Sequence, residues 1–265
     1  MDDQTSPVLL ERADGVATVT LSRPEAMNAL DLGTKESLLA VLREVAADAD
    51  VRCVVLTGTG RAFSVGQDLK EHVRLLGEDP EELWTTVSRH YNPVVELLAT
   101  MDKPVVAAVN GVAAGAGAAF AFAADLRYLA ASSGFNLAFT GIALSCDSGT
   151  SWSLPRLVGT GRAKELLYFP RTVPAQEALE LGLATEVVPD EELAGRVAEV
   201  ARTLAAGPTR AYGAVRRAVA FSGSHGLTDS LGFEDEMMTR TGCSEDHRAA
   251  VDAFLAKERP VFTGR

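Results

Sequence analysis

Histidine and cysteine are scarce in this chain of 265 residues, and the few present are scattered. The four histidines (His72, His90, His225, His247) form no HExxH pair, and the three cysteines (Cys53, Cys146, Cys243) form no CxxC. These absences argue against a protein metal site. An odd cysteine count without a secretion signal reads as free thiols. Basic residues are outnumbered, 25 against 36 acidic ones, and the net charge of −11 argues against broad binding of nucleic acid or anionic membranes. A small anionic ligand remains admissible, because a few arginines and backbone amides act locally. No apolar run reaches the roughly 20 residues that span a bilayer. The opening, MDDQTSPVLLERADG, lacks the basic and apolar regions of a signal peptide. A cytoplasmic protein is expected.

What the chain does have is Lys103–Arg127, KPVVAAVNGVAAGAGAAFAFAADLR, around which the rest is organised. Val105 to Val109 is a short apolar run between Pro104 and Asn110-Gly111, which predicts a buried strand. Gly111, Gly115 and Gly117 follow, then an alanine-rich run without charge before Asp125. Small and apolar on all faces, that run predicts a helix packed inside the protein. A buried strand leading straight into a buried helix leaves backbone N–H groups facing the interior, where they can stabilise negative charge on a ligand.

The composition, 47% hydrophobic and 23% charged, excludes a disordered or low-complexity chain. Val8–Leu10 and Val16–Leu21 flank Ala13-Asp14-Gly15 and predict a β-hairpin. Asp31 is placed to cap a helix running to about Ala47, and Val51–Leu56 is a second β-run. The loop RAFSVGQDLKEH leads into a polar helix. Gly77–Glu82 reads as a mobile surface segment, and the next helix, with Pro80 just inside it, reaches about Met101. Leu126–Ala130 predicts a strand, Arg162–Phe169 and Ala175–Leu181 short helices, and Thr185–Val188 a last strand. Beyond Glu191 the pattern is helical only, over 191–206, 209–221 and 229–257. The expected class is α/β over residues 1–205, followed by a helical part over 206–265. That second part buries little alone, so it packs on the first or on another subunit.

Three stretches can carry chemistry: Ala62–Leu69 (AFSVGQDL), Gly111–Gly117 and Phe135–Gly159. In the first, Gly66 permits unusual backbone angles just before a helix start. The third sets Asp147 among Ile142, Leu144, Cys146 and Trp152; a carboxylate buried there has a raised pKa and suits proton transfer. Its competing role is to cap a helix at Ser148–Leu157. Phe139 and Trp152 read as pocket wall or core. Two other motifs fail. Gly115–Phe120 departs from the dinucleotide fingerprint GxGxxG at its last position and has no acidic residue about 20 residues on to hold a ribose. AFSVG lacks the first glycine of a nucleophile elbow, and no histidine partner can be named.

Taken in order, LSRPEAMNAL (21–30), AFSVGQDL (62–69), KPVVAAVNGVAAGAG (103–117), the Phe135–Gly159 stretch and the ending FLAKERPVFTGR resemble the crotonase (enoyl-CoA hydratase/isomerase) superfamily over nearly the whole chain. GQDL, NGVAAGAGA and the D-x-G-x-x-x-x-LPRLVG run are most similar to its 1,2-epoxyphenylacetyl-CoA isomerase branch, of phenylacetate catabolism. The resemblance implies a spiral of repeated ββα units with a helical C-terminal oligomerisation region, assembled as a homotrimer or a dimer of trimers. It implies an oxyanion hole, by position the backbone N–H groups of Gln67 and Ala116, which holds the carbonyl oxygen of a CoA thioester and stabilises an enolate. CoA is then part of the substrate, and no cofactor is needed. The implied binding set is Arg23, Ala26, Ala62, Ser64, Gly66, Asp68, Leu69, Gly115 and Phe139. The adenosine part lies along Arg23–Ala26 and Ala62–Gly66, and Lys257 and Phe262 complete the site, from the same subunit or a neighbour. For Arg23 and Lys257 a solvated surface role stands beside this one, and Gly115 and Gly117 also suit close helix packing.

The chain departs from the superfamily at one point. Hydratases carry two glutamates, and the corresponding positions here are Ala119 and Phe139. Water addition by two carboxylates is therefore unsupported. What remains is Asp147, at a position where isomerases and some dehalogenases of the superfamily carry their carboxylate. One acid/base fits removal of a proton from one carbon and its return at another, which is isomerisation of an unsaturated or ring-activated acyl-CoA. The alternatives are a hydratase working with one carboxylate and a non-catalytic acyl-CoA-binding subunit. The acyl pocket is expected between His72 and Tyr91.

Overall fold

A computed structural model of the chain describes residues 6–265; the first five residues of the acidic opening lie outside it. Asp14 and Gly15 both take left-handed backbone angles, φ 52° and 76°. They turn β1 (Val8–Ala13) antiparallel onto β2 (Val16–Leu21), as a two-residue hairpin loop requires. In β2, Ala17, Val19 and Leu21 are buried while Val16, Thr18 and Thr20 are half-buried, so the period of two puts the first set on the core face. Next comes α1 (Leu32–Ala47), capped by the Asp31 carboxylate through the Thr34 N–H at 2.9 Å. Near its far end the Lys103 ammonium donates to the carbonyls of Val45 and Asp48, where no helical N–H is left to do so.

From there the chain runs repeatedly through strand, strand and helix. β3 (Cys53–Gly58) and β4 (Ala62–Ser64) are followed by α2 (Leu69–Glu78), α3 (Pro80–Thr86) and α4 (Asn92–Thr100). β5 (Val105–Val109) and β6 (Val112–Ala114) are followed by α5 (Ala116–Ala123). β7 (Leu126–Ala130) and β8 (Gly134–Asn136) are followed by α6 (Thr150–Val158) and α7 (Thr160–Tyr168). β9 (Thr172–Pro174), α8 (Ala175–Glu180) and β10 (Glu186–Val188) complete the spiral. Alternate strands enter two sheets, ordered β1-β2-β3-β5-β7-β10 and β4-β6-β8-β9. This is the spiral of ββα units that the resemblance implied. β5 sits between β3 and β7 and is buried throughout, which is why its sequence is continuously apolar. α5 is buried from Ala116 to Phe122, and its alanines let it fit between α4, α6 and the second sheet.

The outer face of the first sheet is covered by α9 (Leu193–Ala205), which lays Leu193, Val197, Ala201 and Ala205 over Cys53, Val55, Val106 and Ala108. Then come α10 (Thr209–Ser222), α11 (Leu227–Gly242) and α12 (Glu245–Ala256). Arg216 of α10 docks this part on the core. Its guanidinium donates to the carbonyls of Leu98, Met101 and Lys103 and pairs with Asp125 at 2.7 Å. Val219, Leu227, Met238, Phe254 and Leu255 remain exposed on the same helices.

Several local expectations are corrected. Gly77–Glu82 is not a mobile connection, since α2 and α3 take all of it but Asp79, which caps α3 through the Glu82 N–H at 3.1 Å. The helix expected to run to Met101 is interrupted by a π turn, Val87–Tyr91. In a regular α-helix the Pro93 ring would press on the Arg89 carbonyl, and the wider turn relieves that clash. The helix expected over 229–257 breaks at Cys243-Ser244, where the Ser244 hydroxyl accepts the His247 N–H at 3.1 Å and starts α12. The second sheet went unseen because its strands are 3 residues each, too short to show a period.

Candidate active site

β4 and β6 are parallel neighbours in the second sheet, and each leads into a helix start, so the two starts lie side by side. Gly66 (φ 79°) is where they touch: a Cβ on it would meet the Ala114 carbonyl oxygen at 2.9 Å and the Ala116 nitrogen at 3.2 Å. Gly115, at φ 51° and ψ −123°, holds a conformation that side chains disfavour strongly. No atom lies within 4 Å of where its Cβ would be, so open space adjoins the Ala116 amide. Leu30 clamps the other loop, donating to the Gly66 carbonyl at 2.8 Å and accepting the Asp68 N–H at 3.2 Å. A trans peptide points its N–H opposite to its C=O, so the Leu30 bond aims the Gln67 N–H away from Leu30. Among the described residues nothing accepts the Gln67 N–H or the Ala116 N–H. Two free amides at neighbouring helix starts can hold one oxygen that gathers negative charge.

Asp147 lies just before α6, and α6 packs on α5. It does not take the capping role: no side chain caps α6, and the Ser148 hydroxyl donates to the Asp147 carboxylate at 2.8 Å. Burial pushes the Asp147 carboxyl up, and the Ser148 hydrogen bond opposes this in part. Tyr91, at the end of the π turn, is buried, and its hydroxyl donates to the side-chain oxygen of Gln67. Burial first, and then the negative charge of Asp147, pushes the Tyr91 phenol well up. Asp147 is thus within electrostatic reach of a residue bonded to Gln67. Ala119 (0% exposed) and Phe139 (8%) are both buried.

The remaining binding set divides. The Arg23 guanidinium pairs with Asp31 at 3.1 Å and Asp68 at 3.2 Å and donates to the Ala29 carbonyl, so it is not a solvated surface group. Burial would raise the Asp68 carboxyl, but the Glu71 N–H, Arg23 and the Lys70 N–H together hold it below the usual range; it caps α2. Ala26, at the end of a short 3-10 turn, and Leu69, largely exposed, border this loop toward solvent.

Ala62 and Ser64 lie beneath the loop rather than on its surface. Both are 0% exposed, and the Ser64 hydroxyl is committed to the Asn28 carbonyl at 2.8 Å and the Gly66 N–H at 3.2 Å. Phe262 lies toward the opposite end of β3 from the Gln67 loop. The Phe262 carbonyl is held by Arg52 at 2.8 Å, at the entrance of β3, whereas the Gln67 loop follows its exit. Lys257 terminates α12 with φ 59°. Three residues went unnoticed in the sequence. Asn28 (φ 55°, buried) accepts the Arg23 N–H and donates to the carbonyls of Thr59 and Ala62. Lys35 and Glu71 form a buried ion pair at 2.6 Å beside Gln67. Only the position of Asn28 in the resembling stretch 21–30 could have flagged it.

Residues 11–265 match the family model described as enoyl-CoA hydratase/isomerase. The chain belongs to the enoyl-CoA hydratase/isomerase family. It is 41% identical over 252 residues to the 1,2-epoxyphenylacetyl-CoA isomerase of Escherichia coli (strain K12), covering 95% of this chain and 96% of that one. It is 32% identical over 257 residues to the short-chain-enoyl-CoA hydratase of Clostridium acetobutylicum, covering 95% of each. The crystal structure of an enoyl-CoA hydratase from Bacillus anthracis superposes with a TM-score of 0.92 at 32% identity, over 98% of this chain and 100% of that one. Family relatives are thus named for both isomerisation and hydration, so the choice between them falls to the carboxylates. Among the described residues no helix is long and apolar enough to cross a membrane.

Proposed function

We propose that the protein is an acyl-CoA isomerase. What supports the reading is a pair of amides, of Gln67 and Ala116, without an acceptor among the described residues, together with Asp147 as the remaining carboxylate in the resembling stretches and Ala119 and Phe139 where a hydratase has glutamates. In this scheme the thioester oxygen accepts the Gln67 and Ala116 N–H groups. The ionised Asp147 removes a proton from a carbon of the acyl chain, and the electron pair left behind moves into an enolate whose negative oxygen the amides hold. Asp147 then returns the proton at a different carbon, the double bond moves, and the enzyme is unchanged. The scheme needs no metal or redox cofactor, and CoA enters as part of the substrate. Each amide contributes about 10²–10³ in rate, by comparison with other oxyanion holes.

The substrate class is an unsaturated or ring-activated acyl-CoA thioester. The relative named 1,2-epoxyphenylacetyl-CoA isomerase makes that compound the first to assay. The exposed apolar residues of α10, α11 and α12 support a homotrimer or dimer of trimers, in which Lys257 and Phe262 come to the site from a neighbour. The test is Asp147→Asn, assayed on a 3-enoyl-CoA and on 1,2-epoxyphenylacetyl-CoA; near-normal turnover removes Asp147 as the acid/base. Brisk hydration of crotonyl-CoA by the native chain would favour a hydratase. Tight thioester binding without turnover would favour a binding subunit.

A further inference from the structure

We infer that the side chain of Gln67, held by Tyr91 and by the buried Lys35–Glu71 pair, is a positioning device for the Gln67 amide. The inference rests on the oxyanion reading above and adds to it residues of α1, α2 and the π turn. The Gln67 side-chain oxygen accepts from the Tyr91 hydroxyl and, at 3.4 Å, from the Lys35 ammonium. Its side-chain nitrogen donates to Glu71 Oε1 at 3.1 Å. Lys35 is 3% exposed and also donates to the Thr86 hydroxyl at 3.0 Å. The second Glu71 oxygen accepts the Leu32 N–H at 2.7 Å. The network thus joins the start of α1, the first turn of α2 and both sides of the π turn to one side chain.

Gln67 benefits from such a hold because the residue before it, Gly66, has no side chain with which to anchor the loop. Leu30 holds the backbone on both sides of Gln67, at the Gly66 carbonyl and at the Asp68 N–H, and the side-chain network adds a hold on the residue between those two points. The π turn has a part in this. An α-helix carried straight through Val87–Tyr91 would place Tyr91 about 100° differently around the axis for each residue gained or lost, and its hydroxyl would miss Gln67. A misplacement of about 1 Å at a reacting centre can cost about 100-fold in rate, so a fixed amide is worth a buried ion pair.

The test uses Tyr91→Phe, which removes one hydroxyl, and Gln67→Met, which keeps the length of the side chain and the backbone amide. Each is assayed for kcat and KM, for Tm, and for the red shift of bound 4-(dimethylamino)cinnamoyl-CoA, whose absorption reports polarisation of the thioester carbonyl. We expect kcat to fall by about 10- to 100-fold with KM little changed, and the red shift to shrink in the folded variants. A network that serves only stability would lower Tm and leave the red shift at its native value, and that result overturns the inference. Should Tyr91→Phe fail to fold, Gln67→Met decides by the same readouts. A native enzyme that binds the probe without a red shift removes the oxyanion reading itself, together with this one.

Discussion

Gly66 and Ala116 approach so closely that a methyl group on the first would stand 3.2 Å from the amide nitrogen of the second. The contact joins the loop after β4 to the start of α5 and sets how far apart the two free N–H groups can be.

Gly66→Ala should therefore damage catalysis more than folding. The new Cβ would press on the Ala114 carbonyl at 2.9 Å and force a left-handed φ of 79° on alanine, at roughly 1–2 kcal/mol of strain. Displacing the loop misplaces an amide, so kcat on a 3-enoyl-CoA should fall by about 10²–10³. Urea unfolding should show only the modest loss expected from strain.

Asp147 gives a pH prediction. Burial raises its folded-state pKa above the unfolded value of about 3.9, so the folded chain is penalised once the group ionises. Below the unfolded value both states are protonated and the penalty is absent; it grows as pH rises from there through the folded pKa. Asp147→Asn should consequently raise Tm at neutral pH, with the gain disappearing below about pH 4. The native enzyme should lose activity on the acid side at a higher pH than an unperturbed aspartate would give, and a pH–rate profile checks this.

Lys35→Met should cost about 3 kcal/mol or less, because it leaves the half-buried Glu71 without its cation. Removing both charges, Lys35→Met with Glu71→Leu, should recover much of that loss in equilibrium urea unfolding. A single variant as stable as the native chain would mean that water reaches the pair.

Arg216→Ala should loosen the C-terminal helices. It removes the donor for three partly buried backbone carbonyls, of Leu98, Met101 and Lys103, and the cation beside Asp125, which keeps its bond from the Val105 N–H. Roughly 1–3 kcal/mol per unsatisfied buried group predicts a large fall in Tm. Limited proteolysis should cut first near Gly207-Pro208.

Much of the frame was legible in the sequence because it is written in periodicity. The alternation of β2, the apolar run of β5 and the cap at Asp31 each carry a local physical signal, and each element formed where expected. The second sheet carries no such signal, since Ala62–Ser64 or Val112–Ala114 become strands only through pairing with distant neighbours. The same reason hid the site's support. Asn28, Lys35 and Tyr91 look like ordinary turn, helix and core residues, and their partners lie 24 to 51 residues away. A resemblance locates a stretch such as Ala62–Leu69, whereas burial distinguishes the side chains beneath the loop, Ala62 and Ser64, from those nearer its surface. For Asp147 the residues alone left a helix cap and an acid/base side by side; the structure shows no side-chain cap on α6, and the acid/base role rests on the resemblance.

The grip of Arg52 on the chain's far end bears on synthesis. Its guanidinium bonds to the Gly207 carbonyl, the Thr209 hydroxyl and the Phe262 carbonyl, the last of these 210 residues further on. At about 5–20 residues per second, a ribosome takes about 10–40 s to deliver that last partner after making Arg52. Two of the three bonds, to Gly207 and Thr209, can form once α9 and the start of α10 are made, but the third waits until the message has been read almost to its end. A chain cut short before Phe262 would emerge with that latch open, and would present itself to chaperones and proteases as unfinished.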